Sequence, residues 1–589
     1  MKEFFKFMFA SMLGFFLICV IGFFLFIAFI SAIISLSQPE EVAVNSKSVL
    51  HLKLDYDIPD RTSNDPFEIY MNYETFKIPA GLNDILKNIE KAKNDDRIYG
   101  IYLDLSNMPS GLATVNEIRD AILDFKSTGK FVYAYGNVYL QKAYYLASVA
   151  DKVFLNPEGF IEFRGLRGEI AFLKGTLEKL DIDIQIIRHG KYKAAVEPFL
   201  RDDMSEENKE QTLTYISSLW NNSIGDIAAS RNTSAENLNR IADDLSTQNP
   251  LNAYQLNIVD SLIYMDEFLG ILANELDIDH VKNENLVSIH DYTRVKDVNF
   301  PKTRSKNKIA VVYASGDIMQ GEGDENTIGG DKISRTIRRA RLDDDIKAVV
   351  LRVNSPGGDG LASDIILREV KLCSAVKPVV VSMGNLAASG GYYISCGADY
   401  IISDPTTITG SIGVFGLIPN FQGLFNNKLG ITFDGVNTNK NADFISVNKP
   451  LTDYQRQVLT NLIERFYDSF VTHVAEGRDM EWNAVDEIAQ GRVWSGADAL
   501  ELGLVDELGG LTTAIETAKD LAGLEDYRTV DLPERKEPFE QIFEDLFGQT
   551  RIFLMKNELG ENYRYLRYFE MLKQQSGVQA RLPYEIVVQ

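Results

Sequence analysis

The segment DDDIKAVVLRVN at residues 343–354 has an earlier counterpart in the same chain, DDRIYGIYLDLS at residues 95–106. The offset of 248 persists without a gap through FVYAYGN (131–137) against VVVSMGN (379–385) and AYYLASVAD (143–151) against GYYISCGAD (391–399). Downstream it falls to 247 and then 246, which sets Ser205 and Arg231 opposite Thr452 and Arg478, and AYQLNIVD (253–260) opposite ALELGLVD (499–506). Upstream, SVLHLKLDYDI (48–58) resembles KIAVVYASGDI (308–318), with extra first-copy residues around 60–80. One domain has been duplicated in tandem; two copies make a repeated domain and not a solenoid. In each copy apolar runs (99–105 and 131–135; 348–353 and 379–383) alternate with helical periodicity (113–126; 361–375), the order of strand–helix–strand crossovers. The pattern predicts an α/β fold. Ser205 and Thr452, each with an acidic residue close behind, predict the starts of long helices over 205–230 and 452–477.

The expected division is residues 1–37, a first copy over 48–305, a second over 306–530, and a tail over 531–589 with no internal counterpart. In the tail, Phe539, Ile542, Phe543, Leu546 and Phe547 recur at helical spacing and predict an accessory helical piece packed on the body.

A chain of 589 residues with 84 acidic and 60 basic side chains carries a formal charge of −24 and no long basic block, so nucleic acid is not an expected partner. Cys19, Cys373 and Cys396 are too scattered for a disulfide framework or a zinc site, and the five histidines show no metal-ligand spacing. Neither a metal nor another cofactor is expected, and no phosphate-binding glycine motif of the Walker type is present.

After Lys2 and Lys6, Phe7–Leu36 is an uncharged run longer than the 18 or so residues that cross a bilayer. It predicts an uncleaved single-pass anchor; a removed signal peptide is the other reading. Lysines before the span and Glu40 and Glu41 after it put the short end in the cytoplasm and the body outside, in a periplasm where the cell has one.

The chemistry should lie in GNLAASGGYY (384–393), where Ser389 is followed by Gly390 and Gly391. A serine hydroxyl needs a base to take its proton and backbone donors to receive the oxyanion. The NSPGG turn (354–358) offers a second amide beside that of Gly390. The first copy has Gln141, Lys142 and Ala143 where the second has Ser389, Gly390 and Gly391, and SNMPSG (106–111) in place of NSPGG, so it cannot run serine chemistry. It does hold HGKYKAAVEPF (189–199), and the same offset sets Asn441 opposite Lys193. Each copy holds what the other lacks, which points to one site built from both, with Lys193 as base if apolar surroundings keep it neutral. His189 and Lys440 stay open as alternative bases.

The anchor, the duplication, and the motifs YKAAVEPF, RVNSPGG, SMGNLAASGGYYIS and TGSIGV together resemble the long, two-copy form of the bacterial signal peptide peptidase A (protease IV) family, over about residues 1–530. The resemblance implies two domains of the caseinolytic-protease and crotonase kind. It implies a serine and lysine dyad at Ser389 and Lys193, with Ser411 orienting the lysine. The oxyanion donors would be the amide of Gly390 and that of Gly357, with Gly358 as second choice. It further implies a homotetramer on the inner membrane that degrades signal-peptide remnants and other apolar peptides. The competing readings are a catalytically silent membrane scaffold and a crotonase-like acyl-transfer enzyme.

Overall fold

The computed structural model describes residues 2–37, 42–63, 79–296, 305–324, 326–535 and 578–581. The apolar run at the N-terminus forms helix α1 (Lys2–Ser37), and its stretch Lys6–Leu25 is long and apolar enough to cross a membrane.

The first copy supplies β1 (Ser48–Lys53), β2 (Ile98–Asp104), α2 (Leu112–Lys126), β3 (Phe131–Tyr139), α3 (Gln141–Ala147), β4 (Lys152–Ile161), β5 (Asp183–His189), α4 (Glu206–Arg231), β6 (Ser261–Leu262) and β7 (Leu286–Ser288). Six of its strands make a parallel sheet in the order β6-β4-β3-β2-β1-β7. Alternate side chains explain why the runs are apolar throughout. Leu50, Leu52, Ile101, Leu103, Val132 and Ala134 enter one core, while Val49, Tyr102, Tyr133 and Phe154 enter another on the opposite face, against Phe268 and Leu272. Both faces of a parallel sheet are covered, and each such buried aliphatic contributes about 1.5–3 kcal/mol.

The second copy repeats the plan with β8 (Lys308–Ser315), β9 (Asp317–Met319), β10 (Thr327–Gly329), β11 (Ile346–Ser355), β12 (Gly357–Asp359), α5 (Gly360–Ser374), β13 (Val379–Ala388), α6 (Gly390–Ser395), β14 (Tyr400–Ser403), β15 (Ile408–Gly410), β16 (Val414–Asn420), α7 (Asp453–Arg478), β17 (Val493–Ser495), β18 (Glu507–Leu508), α8 (Leu511–Leu521) and β19 (Arg528–Leu532). Its main sheet runs β17-β15-β13-β11-β8-β19, with β14 and β18 branching from β13. The expected helix starts are where the sequence sets them: Ser205 Oγ accepts from the Asn208 amide and Thr452 Oγ1 from that of Gln455.

A third sheet joins the halves. Its order is β10-β9-β12-β20-β16-β5, where β20 is Val578–Arg581 and β5 comes from the first copy, antiparallel to β16 from Val414↔His189 to Asn420↔Asp183. The second copy's sheet thus extends past residue 530 through β19. The helical spacing at 539–547 lies outside the described residues, and the part of the tail that is described beyond Arg535 is a strand, not a helix.

Candidate active site

Strand β13 ends at Ala388 and α6 begins at Gly390, so Ser389 occupies the sharp corner between them. Its φ of 56° and ψ of −113° lie where L-residues are strained, at a cost of order 1–3 kcal/mol. Two main-chain bonds hold the corner: the Ser389 amide donates to Gly410 O at 2.8 Å, and the Tyr393 amide donates to Ser389 O at 2.8 Å. Small residues at 387–391 follow from this crowding, since a β-carbon on Gly391 would stand 2.8 Å from Ser355 O.

Lys193 arrives from the first copy on the loop after β5, the strand that pairs with β16. Its Nζ lies 2.9 Å from Ser389 Oγ, 3.0 Å from Ser411 Oγ and 3.2 Å from Ser411 O. All three residues are fully buried. Burial pushes the Lys193 amine down from 10.5 to about 7. The free amine has two N–H donors and one lone pair. Ser411 Oγ and Ser411 O take the two donors, and the lone pair is left for the Ser389 hydroxyl. Ser411 can accept because its own hydroxyl donates toward Gly491 O at 3.4 Å.

The loop is fixed from both copies. The Tyr192 amide donates to Gln490 O at 2.9 Å, and Gln211 of α4 reaches Tyr192 O at 3.1 Å while accepting from the Val493 amide at 3.3 Å. Glu197 of the EPF motif accepts from Ser205 Oγ at 2.5 Å and Asn208 Nδ2 at 3.0 Å, tying the loop to the start of α4. The lysine stem passes between two glycines: a β-carbon on Gly413 would stand 3.3 Å from Lys193 Cδ, and one on Gly491 2.7 Å from Lys193 Cα.

Of the sequence-derived candidates, Ser389, Lys193 and Ser411 come together. His189 does not join them; it bonds to Glu464 at 2.7 Å and stacks on Tyr467 at 3.7 Å. Lys440 is exposed, whereas Ser389 is buried. Gly357, Gly358 and Gly390 also converge: a β-carbon on Gly357 would lie 2.7 Å from Gly390 N, and one on Gly390 would lie 3.1 Å from Gly358 N. The Gly357 amide is turned onto Ser355 Oγ at 3.1 Å, and Gly358 pairs with Ala580 of β20 and Ile318 of β9.

The corresponding corner of the first copy is closed. Lys142, opposite Gly390, drives its ammonium into the turn and donates to Ser110 O at 2.7 Å and Pro109 O at 3.1 Å, while Gln141, opposite Ser389, accepts from the amides of Arg164 and Gly165.

The model of peptidase family S49 matches residues 124–279 and again 371–525. Protease 4 of Haemophilus influenzae is 38% identical over 520 residues, covering 84% of this chain and 83% of that protein. The chain belongs to peptidase family S49. The two S49 matches fall one in each copy, so the duplication read from the offset is a duplication of the family's domain. The chloroplastic serine protease SPPA of Arabidopsis thaliana is 32% identical over 516 residues, covering 86% of this chain and 75% of that protein. Among solved structures, a ClpP1 mutant from Listeria monocytogenes aligns over 35% of this chain and 94% of that one, with 16% identity and a TM-score of 0.24.

The sequence did not single out Gln211, Glu197, Gly413 and Gly491. Only Gly413 and Glu197 lie inside motifs it had marked, TGSIGV and YKAAVEPF.

Proposed function

We propose that this S49 peptidase is a membrane-anchored endopeptidase in which Ser389 is the nucleophile and Lys193 the general base. The observation that carries the reading is the 2.9 Å contact from Lys193 Nζ to Ser389 Oγ, between two copies that each lack the other's group. The neutral amine takes the Ser389 proton as Oγ attacks the scissile carbonyl, and the amides of Gly358 and Gly390 receive the oxyanion. The protonated amine then donates to the leaving nitrogen. A water deprotonated by the same amine attacks the ester, and the acyl group departs as a carboxylic acid. Ser411 keeps the lone pair aimed by holding the two N–H bonds.

Helix α1 supports a single-pass anchor, and the lysines before it support a body on the outer face of the cytoplasmic membrane. Enzyme beside a bilayer meets apolar peptides, so remnants of signal peptides are the proposed substrates, and a homotetramer standing on the membrane is the proposed assembly.

The test is hydrolysis of an apolar peptide by the detergent-solubilised full chain. Ser389→Ala and Lys193→Ala should each abolish it. Full activity in Lys193→Ala would remove the lysine from the mechanism.

A further inference from the structure

After Arg535 the described chain resumes at β20, Val578–Arg581, which lies between two strands that do not pair with each other. On one side, Gly357↔Arg581, Gly358↔Ala580 and Asp359↔Gln579 pair antiparallel with β12. On the other, Phe415↔Gln579 and Gly416↔Val578 pair antiparallel with β16. An extended segment bonded along both edges across a nucleophile is how a sheet captures a peptide.

The register is specific. Arg581 is ion-paired with Asp317 of β9 at 2.9 Å, Gln579 is buried, and Ala580 is fully buried. A β-carbon on Gly357 would lie 2.2 Å from Ala580 O, and one on Gly390 would lie 3.0 Å from the same oxygen. The Ala580 carbonyl oxygen therefore stands in the space bordered by the Gly358 and Gly390 amides, where the mechanism above needs an oxyanion.

We infer that Val578–Arg581 is an internal substrate and that Ser389 cuts the bond between Ala580 and Arg581. The inference rests on the dyad proposed above. Ser389 Oγ bonds to the Ala580 carbonyl carbon and its proton passes to Lys193 Nζ. The carbon–nitrogen bond to Arg581 then breaks, and the Lys193 proton goes to the departing Arg581 nitrogen. Water replaces Oγ on the Ala580 carbon, its proton returning through Lys193 to Ser389. The products are a chain ending in the Ala580 carboxylate and the free peptide Arg581–Gln589. A fully buried alanine before the bond and an ion-paired arginine after it define the chemistry: a small side chain on the acyl side and a cation on the leaving side. Tethering makes the encounter intramolecular, so even a weakly bound segment is presented at high effective concentration.

Intact-mass measurement on the full-length detergent-solubilised protein tests this, with hydrolysis of an added apolar peptide measured on the same samples. Wild-type chains should lose Arg581–Gln589 and end at Ala580, Ser389→Ala chains should retain Gln589, and Ala580→Trp should retain it while still hydrolysing the added peptide. A wild-type chain that cleaves the added peptide yet keeps Gln589 overturns the self-cleavage and leaves the peptidase standing. Loss of the same residues from Ser389→Ala overturns it too, since another protease is then responsible. Hydrolysis of neither peptide nor tail removes the dyad along with it.

Discussion

Arg352 of β11 and Glu117 of α2 are joined at 2.6 Å across the boundary between the two copies, both buried. The guanidinium also holds Asp60 at 2.8 Å and Ser382 Oγ at 2.9 Å, and the other Glu117 oxygen accepts from the Leu511 amide at 2.6 Å. Burial works against charge on Asp60, yet Arg352 and the hydrogen bonds of Asn354 and Ser315 hold its carboxyl below the usual range. Strand β11 runs from Arg352 to the turn bearing Gly357 and Gly358, so this network sets that turn on the copy that supplies Lys193.

Removing the cation leaves two buried carboxylates without compensation. Arg352→Met should destabilise the chain by about 3–5 kcal/mol and lower peptidase activity although it touches no reacting atom. Thermal unfolding of the solubilised protein reads the first effect; an unchanged transition would show that the copies are held together by other means.

With Lys193 near 7, the free-base fraction falls about tenfold for each pH unit below that value, and kcat/KM should fall with it and level off above. Lys193→Arg should be inactive throughout, because a guanidinium keeps its proton. A profile flat from pH 5 to 9 would contradict a lysine base.

The same depressed value bears on stability. The folded amine titrates near 7 and the unfolded one near 10.5, so between these limits the unfolded chain binds more protons and stability rises with pH; below 7 the deficit is complete. Lys193→Met has no such term. Its stability relative to wild type should therefore be greater at pH 7 than at pH 10.5 by roughly 4 kcal/mol. Denaturant melts of both proteins at the two pH values measure the difference, and an equal gap at both would mean the amine is not desolvated.

Ser411→Ala takes away one of the two acceptors that fix the amine's orientation, leaving the carbonyl at 3.2 Å. Turnover should drop by about 10–100-fold with KM little changed, since no substrate contact is lost. A pure KM effect would place Ser411 in substrate binding instead.

How much of this was legible in the sequence depended on whether the signal was local or repeated. The duplication was legible because one plan is written twice, and apolar runs such as 348–353 are long because both faces of the sheet are covered. Ser389 was legible from its small neighbours, and Lys193 from the exchange of groups between copies. The turn of the Gly357 amide onto Ser355 Oγ was not, because it depends on one backbone bend that no residue type announces. Nor was the Arg352 network, whose partners lie 235 and 292 positions away. VQAR is four residues without periodicity, and only the gap between β12 and β16 makes a strand of it.

Gly491 gives the sharpest test of how tightly the lysine is walled. Its φ of 79° is left-handed, and a β-carbon there would stand 2.7 Å from the N, Cα and Cβ of Lys193, against main chain that cannot swing aside. The Gly491 amide donates to Ile412 O at 2.8 Å and its carbonyl receives the Ser411 hydroxyl, so any shift is passed to the acceptor that aims the amine. Gly491→Ala should therefore cost about 1–3 kcal/mol in stability and, separately, far more in turnover, because displacement of Nζ by an ångström is worth on the order of a hundredfold. Gly523→Ala, also at positive φ but with open space around it, should show backbone strain with peptidase activity intact. Equal activity losses in the two variants would mean that strain alone, and not the position of Lys193, governs the rate.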